Sequence, residues 1–500
     1  MPLAKQCSAF MPVIGLEVHA QLQLPQSKLF SRAPGASHGR AAPPNAAAAA
    51  FDVALPGTYP MLNRAAVEQA IRTAVALKAD VSRRSVFERK HYYYYDLPMG
   101  YQITQQRRPL ATGGHVYLPL SGRHMRLARV QLEQDSGRTT HAGDRATTLA
   151  DPGEKPSRVD LNRAGVALVE LVFEPDLRSP EEAGDALRSL ISLLRHIGVC
   201  DGHMESGSIR ADLNVSLVPR ETDGDDDLRS GQRVEIKNMN SVRHLVQAAA
   251  YEVRRQAAVL SASACDGGGV VESETRGFDP KLRVTYRQRS KADAYDYRFF
   301  PEPDLGVVRV TAEEVERLAS TLPELPDDTI ERLTRLRSQS AVVVRDTEAE
   351  QHRDNLALRS YALGDYDARV LVAEPGAVAL FEETLRARQA EVPGYMLDPK
   401  LVANWIANDL FCAIRDYDLD HIQNVPIAAE HFRELLYLVQ EAHISTATAK
   451  KVLAAMIEEG IHFWAEQVSR LNEAGVAKNS NQIDWSTLLV THIQRPSTVS

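Results

Sequence analysis

"GLEVHAQL", residues 15–22, alternates strictly: Leu16, Val18, Ala20 and Leu22 fall on one side, Glu17, His19 and Gln21 on the other. Successive side chains leave a strand on opposite faces, so period two predicts a strand with one apolar face and one face bearing Glu-x-His. Two readings of that polar face are open, a solvated sheet surface or the wall of a cleft. Neighbouring segments repeat the pattern. In "SIRADLNVSL" (208–217), Ile209, Ala211, Leu213, Val215 and Leu217 oppose Arg210, Asp212, Asn214 and Ser216. "RVEIKN" (233–238) sets Val234 and Ile236 against Arg233, Glu235 and Lys237, after an acidic turn-forming loop, "ETDGDDDLRSG". "RLARVQLEQDSGR" (126–138) sets Val130 and Leu132 against Arg129, Gln131 and Glu133. Polar faces mixing Arg, Asp, Asn, Glu and Lys, with the acidic cluster confined to a turn, favour a lined cleft.

Two well-marked helices interrupt these strands. "SPEEAGDALRSLISLLRHIG" (179–198) offers Ser179 as N-cap, Pro180 at the first helical position, two acids in the first turn and Gly198 as the stop. A second is predicted from about Val242 to Leu260, capped by Ser241 and ended by "CDGGGV". "RAAPPNAAAAAFD" (40–52) reads as a loop with an alanine-rich insert.

After "EPDLGVV" (302–308) the character turns helical. "TAEEVERLASTLPELPDDTIERLTRL" (311–336) holds two helices broken by its prolines. "DPKLVANWIANDLFCAIRDY" (398–417) is amphipathic, anchored by Leu401, Trp405 and Leu410. Residues 424–460 read as helix, Ile444–Ser445 turn, helix. A strand-rich front and a helical rear predict an α+β chain ending in a small bundle.

The 500 residues include 44% apolar and 25% charged side chains, the profile of a globular chain long enough for about three domains. Cys7, Cys200, Cys265 and Cys412 are far apart with no C-x-x-C pair, which argues against a disulfide framework, a cysteine zinc site or an iron–sulfur cluster. No apolar run reaches the twenty or so residues of a membrane span. A net charge of −8 confines nucleic-acid contact to local patches. The opening "MPLAKQCSAF" is too short and too lightly basic to read as a targeting segment.

Hard cations such as Mg²⁺ take oxygen ligands, so Glu17, Glu133 and Glu205 on neighbouring elements are candidates to converge on one, with His19 as ligand or orienting base. "ERKHYYYYDLPMGYQITQ" (88–105) carries four successive tyrosines. In one strand two would face each way, one pair to the core and the other, with Asp96, Tyr101 and Gln102, to a wall that stacks on a purine; tyrosines packing on one another explain the run equally well. In "VDLNRAGVALVELVFEPDLRSPEEA" (159–183), Asn162 and Arg163 precede a glycine turn, and Arg163 suits either bidentate phosphate binding or a strand-end salt bridge. "KADAYDYRFFPEPDLG" (291–306) either braces the site or closes the domain. GxxxxGK[ST], GxGxxG and HExxH are all absent, so any nucleotide is bound without a Walker loop.

These segments, in order from about Pro12 to Leu305 and with "LPGTYPMLN", "EIKNMNS", "ETRGFD" and "DYRFFPEPDL" added, resemble the B subunits of the aspartyl/glutamyl-tRNA amidotransferases. Weaker similarity continues through "LPELP", "GDYDARVL" and "DPKLVANWI" to about Gly460. "APPN" and "LEQDSG" look most like the mitochondrial branch, which implies a mitochondrial location. The resemblance implies a cradle domain (1–305) with an antiparallel sheet similar to the glutamine synthetase and guanidino kinase fold, a helical domain (306–424) and a helical, tRNA-binding tail (425–500). It implies ATP- and Mg²⁺-dependent phosphorylation of the side-chain carboxylate of Glu on tRNA(Gln). Ammonia released by a partner amidase, the A subunit of such complexes, then displaces phosphate, and a small C subunit clamps the amidase in place.

Carried onto this sequence, the catalytic set is Glu17, His19, Glu133, Arg210, Asp212 and Lys237. Mg²⁺ falls to Glu17, His19, Glu133 and Gln134. Nucleotide and substrate fall to Tyr94, Asp96, Tyr101, Gln102, Asn162, Arg163, Glu205 and Asn214. The sequence departs from the pattern at Met99, where a lysine is usual, and at Gln134 and Ser206, where second acids are usual. The alanine-rich loop lacks the cysteines that bind zinc in some members, so no zinc is expected. The tail from about Ile461 lacks the expected glycine- and lysine-bearing terminal helix. The lost charges motivate an alternative, a non-catalytic tRNA-binding or assembly role in the same complex.

Overall fold

A computed structural model describes residues 9–24, 26–35, 43–141, 157–220, 232–266, 270–290, 296–335, 361–374, 376–386, 397–412, 422, 425 and 427–459. The acidic loop at 221–231 and the tail beyond 459 lie outside them. The chain forms two compact units, 1–325 and 326–500.

The strands of the front unit run in chain order β1 Phe10–Gln21, β2 Asp80–Val81, β3 Arg84–Ser85, β4 Glu88–His91, β5 Tyr101–Thr104, β6 Ala111–Thr112, β7 His115–Leu118 and β8 Arg123–Gln134. They continue as β9 Arg138–His141, β10 Ser157–Asp160, β11 Ala167–Phe173, β12 Ile209–Pro219, β13 Val234–Met239, β14 Glu274–Asp279, β15 Val284–Ser290, β16 Phe300–Pro301 and β17 Val308–Arg309. One large sheet takes the order β15-β14-β13-β12-β1-β11-β8-β6-β2, with β7 also paired to β8. Every pairing in it is antiparallel except β13–β14. A small sheet, β16-β4-β5, lies beside it. With its helices the chain is α+β, as the patterning predicts.

Ile14, Leu16, Val18, Ala20, Val130, Leu132, Val169, Leu171, Leu213 and Ile236 supply the apolar face and are essentially inaccessible to solvent. Helices α1 Arg64–Ala76, α2 Pro180–His196 and α3 Val242–Asp266 supply apolar partners to the same core, through Val67, Ile71, Leu187, Leu190 and Leu245. Ser179 caps α2 by accepting from Glu182 N, and Ser241 Oγ accepts from His244 N at the start of α3. Helix α3 runs on to Asp266, past the expected Leu260. Helix α1, absent from the sequence reading, is capped by Asn63 and has helically spaced Ala66, Val67, Ala70, Ile71 and Ala74.

Helix α4, Ala312–Ser320, lies in the front unit. Its Glu314 pairs with Arg64, its Arg317 with Glu68, and Leu318 joins the front core. The front unit therefore extends past Leu305.

A buried ion pair pins the alanine-rich loop. Lys28, fully buried, sits 3.2 Å from Asp52, which also accepts from Ser31 Oγ and Ala49 N. Burial lowers the Lys28 pKa, and the Asp52 charge opposes that.

The rear unit builds its own core from α5 Pro326–Thr334, α6 Asp365–Ala373, α7 Ala377–Arg386, α8 Pro399–Asn404, a π turn at Trp405–Leu410, α9 Ala429–Gln440 and α10 Thr446–Glu459. Trp405 and Leu410 are buried as expected, and Leu401 is half-buried. The two helices within the expected tail, α9 and α10, share this core. Buried Arg433 donates to the Thr384 and Leu385 carbonyls, where the C-terminal end of α7 favours a cation.

Candidate active site

The polar face of the large sheet is an ordered grid. Gln131, Glu170, His19 and Arg210 are cross-strand neighbours in one row, and Arg129, Val172, Glu17 and Asp212 form the next. In sheets such lateral neighbours interact directly. His19 Nε2 stands 3.7 Å from Glu133 Oε1 and 3.7 Å from Glu170 Oε2, and ligand atoms of all three lie within 4.8 Å of one another. Glu133 and Glu170 are buried while His19 is half-buried.

The β4–β5 hairpin supplies the second wall. Gln102 Nε2 donates to Glu133 Oε1 at 2.7 Å and to the Gln134 carbonyl, and Lys90 Nζ approaches Glu133 Oε2 at 3.9 Å. Gln131 Nε2 donates to Glu170 Oε2 at 2.6 Å and to Thr104 Oγ1. Tyr92 donates its hydroxyl to Gln102 Oε1, and Lys90 lies 5.3 Å from the Tyr297 ring centre. Burial pushes the Tyr92 phenol up, with Glu133 and Asp135 adding to it, so this group stays a neutral donor.

The two carboxyls are driven apart. Burial pushes Glu133 up, but Lys90 and His19 outweigh it and hold the group below its ordinary value. Burial, with the charge of Glu133, pushes Glu170 up. Two buried acids facing one lysine leave negative charge incompletely matched, a costly arrangement unless a cation joins it. Glu133 Oε2 is buried without a hydrogen-bond partner. That open lone pair, a second carboxylate and an imidazole make a donor set that fits a divalent cation.

Beyond this cluster the face turns cationic. Arg210 reaches Asp135 at 2.8 Å, and its Nε, also buried, has no acceptor. Asp135 further accepts from Gln21 and faces Arg163 at 3.5 Å. Lys237 lies between Asp212 (3.4 Å) and Glu235 (2.8 Å). Burial works against its charge, but those two carboxylates win and raise its pKa. A break in the β12–β13 register between Ala211 and Leu213 puts Lys237 and Asn238 opposite Asp212.

The structure thus brings together His19, Glu133, Gln102, Arg210, Asp212 and Lys237. Glu17 lies one row from His19 and accepts from Asn214 Nδ2 at 3.0 Å, outside the three-residue cluster. Gln134 is placed elsewhere: one residue on from Glu133 it faces the opposite side of β8, and its Oε1 accepts from Ile103 N. Glu170, not among the expected ligands, is the third member of the cluster with His19 and Glu133. Asn162 spends its amide on Ala47 N and the Pro43 carbonyl, and Arg163 donates to the Ser136 and Gly137 carbonyls, so both brace loops. Asp96 accepts from Thr139, and Tyr101 lies under the Arg89 guanidinium.

Glu205 stands exposed on the 204–207 turn. The four tyrosines form no strand: β4 ends at His91, Tyr92 turns inward and Tyr93, Tyr94 and Tyr95 are exposed. Sequence reasoning also missed Lys90 and Asp135. For Glu170 a signal existed, a lone acid inside the apolar run "ALVELVF".

An acidic sheet face flanked by the half-buried cations Lys90, Arg210 and Lys237 belongs to a chain whose class comparison with known proteins makes specific. Residues 12–316 match the GatB/GatE catalytic domain, and residues 380–479 match the GatB domain. The chain is 40% identical to the mitochondrial B subunit of a glutamyl-tRNA(Gln) amidotransferase from Phytophthora infestans, over 89% of this chain and 80% of that one. It is 41% identical to the B subunit of an aspartyl/glutamyl-tRNA(Asn/Gln) amidotransferase from Rhodospirillum rubrum (90% and 81% covered), and 42% identical to one from Granulibacter bethesdensis (90% and 82%). The chain belongs to the family of tRNA-dependent amidotransferase B subunits.

Proposed function

We propose that the sheet face activates the side-chain carboxylate of Glu carried on tRNA(Gln), within the phosphorylating subunit of a glutamine-dependent amidotransferase. The observation that carries this reading is the His19–Glu133–Glu170 cluster with its open Glu133 oxygen. A carboxylate is a poor acyl donor because its leaving group would be oxide; phosphorylation substitutes phosphate, at the cost of concentrating negative charge. His19, Glu133 and Glu170 would hold Mg²⁺, which when bound shields phosphate oxygens and aligns them with the acceptor carboxylate.

The chain's own residues do the rest. Arg210, with an unused Nε donor, and Lys237, kept cationic by its two acids, neutralise charge growing on the transferring group. Gln102 and Gln131 fix the two carboxylates from outside the cluster, and Asn214 fixes Glu17 at its edge. ATP as phosphoryl donor, the likeness to the glutamine synthetase and guanidino kinase cradle, a partner amidase, a clamping small C subunit, tRNA binding by 425–500 and a mitochondrial setting complete the reading. The alanine-rich loop, where some members carry zinc cysteines, has none in this sequence, which supports a chain without zinc. The scaffold alternative is not favoured. Gln134 and Ser206 are engaged in local hydrogen bonds, Met99 packs on the core, and the acidic cluster is intact without them.

The test uses the assembled complex with ATP, Mg²⁺, glutamine and Glu-tRNA(Gln). Glu133→Gln and His19→Ala are expected to cut glutamine formation on tRNA by about 10²–10³-fold, with the subunits still co-purifying. Wild-type turnover by an assembled Glu133→Gln complex would remove the cluster from the mechanism.

A further inference from the structure

Three consecutive rings stand out of the protein beside this site. Tyr93, Tyr94 and Tyr95 are 82%, 56% and 79% exposed, a concentration of ring surface that marks a contact site. Their loop is held in place. Leu97 N donates to the Tyr94 carbonyl, Gly100 N to that of Leu97, Gly137 N to that of Asp96, and Thr139 Oγ1 to the Asp96 carboxylate. Gly100, at φ +70°, lies against the Tyr93 ring, where an added Cβ would stand 2.9 Å from Cε1.

Three contacts lead from the rings to the site. The Tyr94 ring centre is 5.6 Å from that of Tyr92, Tyr92 donates to Gln102, and Gln102 donates to Glu133. Two arginines adjoin residues that touch this loop, through Gly137 N on the Asp96 carbonyl and the Tyr297 ring 6.0 Å from that of Tyr92. Arg138 is exposed on β9, next to Gly137, and Arg298 is 79% exposed next to Tyr297, with Asp296 at 3.7 Å.

We propose that Tyr93, Tyr94 and Tyr95 form a stacking platform for the unpaired terminal nucleotides of the charged tRNA, with Arg138 and Arg298 facing its phosphates. The inference rests on the reading of the site as one that activates a tRNA-borne carboxylate. That carboxylate is tethered by an ester to the last nucleotide, so reaction at Glu133 requires the end of the strand to lie at the rim of the site. Aromatic rings accept the π face of any base while arginines track the backbone, the usual division of labour on single strands. Rings carrying hydroxyls, with guanidinium groups nearby, suit a wet, anionic strand better than the apolar face of a protein.

The experiment compares wild type, Tyr93→Ala/Tyr95→Ala and Tyr93→Phe/Tyr95→Phe in the complete amidotransferase, reading KM for Glu-tRNA(Gln) and kcat separately. The alanine variant is expected to raise KM about tenfold or more with kcat within about twofold, and the phenylalanine variant to match wild type. An unchanged KM in the alanine variant overturns the platform. An equal rise in the phenylalanine variant overturns it too, since the hydroxyls rather than the rings would then be at work. Loss of a partner protein from the purified alanine complex also overturns it, because the rings would then hold a protein. A wild-type complex unable to amidate Glu-tRNA(Gln) sinks the site reading itself, and the platform with it.

Discussion

Two of the buried charge clusters in the front unit have opposite balances. Lys28 and Asp52 make one cation for one anion, padded by a hydroxyl and a backbone amide. Glu133 and Glu170 face a single lysine and an imidazole at 3.7 Å. The first arrangement is balanced in charge and holds a loop in place. The second has surplus negative charge and a raised Glu170 pKa; a buried carboxylate oxygen without a hydrogen-bond partner is common to both, at Asp52 Oδ1 and Glu133 Oε2. Charge balance, rather than burial, separates a brace from a site: two buried acids beside one lysine gain from an added cation, whereas a matched pair does not.

The sharpest way to break this comparison is to unbalance the brace. Asp52→Ala leaves Lys28 buried and unmatched and is expected to destabilise the front unit by about 3–5 kcal/mol in denaturant unfolding. Lys28→Met combined with Asp52→Leu should recover much of that loss.

Relieving the site should do the reverse. Glu170→Gln removes one of two like charges and is expected to stabilise the metal-free protein by about 1 kcal/mol at neutral pH while suppressing amidation. The sign follows from the raised Glu170 pKa. Its protonated form is favoured in the folded state, so its contribution is fully present below the ordinary value of 4.5 and is lost as pH rises through the folded value. The variant's advantage should therefore shrink as pH falls through the folded value and be gone below pH 4.5. Mg²⁺ at a hundred times its Kd should stabilise wild type by about 2.7 kcal/mol and the variant far less, read as a shift in Tm.

An exposed pair sets the lower bound. Arg335→Ala, which breaks an i,i+4 bridge to Glu331, is expected to cost only about 0.3–0.5 kcal/mol.

Much of the fold is written locally in the sequence. The alternation of β1, β8, β12 and β13 predicts the sheet and its polar face, and Ser179, Pro180 and Gly198 mark a helix end to end. What stays hidden depends on register and on second layers. Glu170 reaches His19 because β11 pairs with β1 in one particular register, and no spacing within "ALVELVF" reveals that partner. Lys90 and Gln102 act from a hairpin that crosses over the sheet. Gln134 adjoins Glu133 in sequence, but the pleat sends such neighbours to opposite faces. Asn162 and Arg163 have binding chemistry but are consumed by loop carbonyls. Helix α1 is legible in its Asn63 cap and its apolar spacing, though both directly follow an irregular, proline-bearing segment that masks its start.

The place of β1 carries a consequence for synthesis. Strand β1, first in the order of described strands, sits in the middle of the sheet, between β11 and β12, and finds its second neighbour only once Pro219 has been made. At ordinary elongation rates that interval is about 10–40 s. Through it Ile14, Leu16 and Val18 have no finished sheet to enter, so the nascent chain should lean on chaperones. Ribosome-bound chains halted before residue 219 should remain open to protease where longer ones resist it.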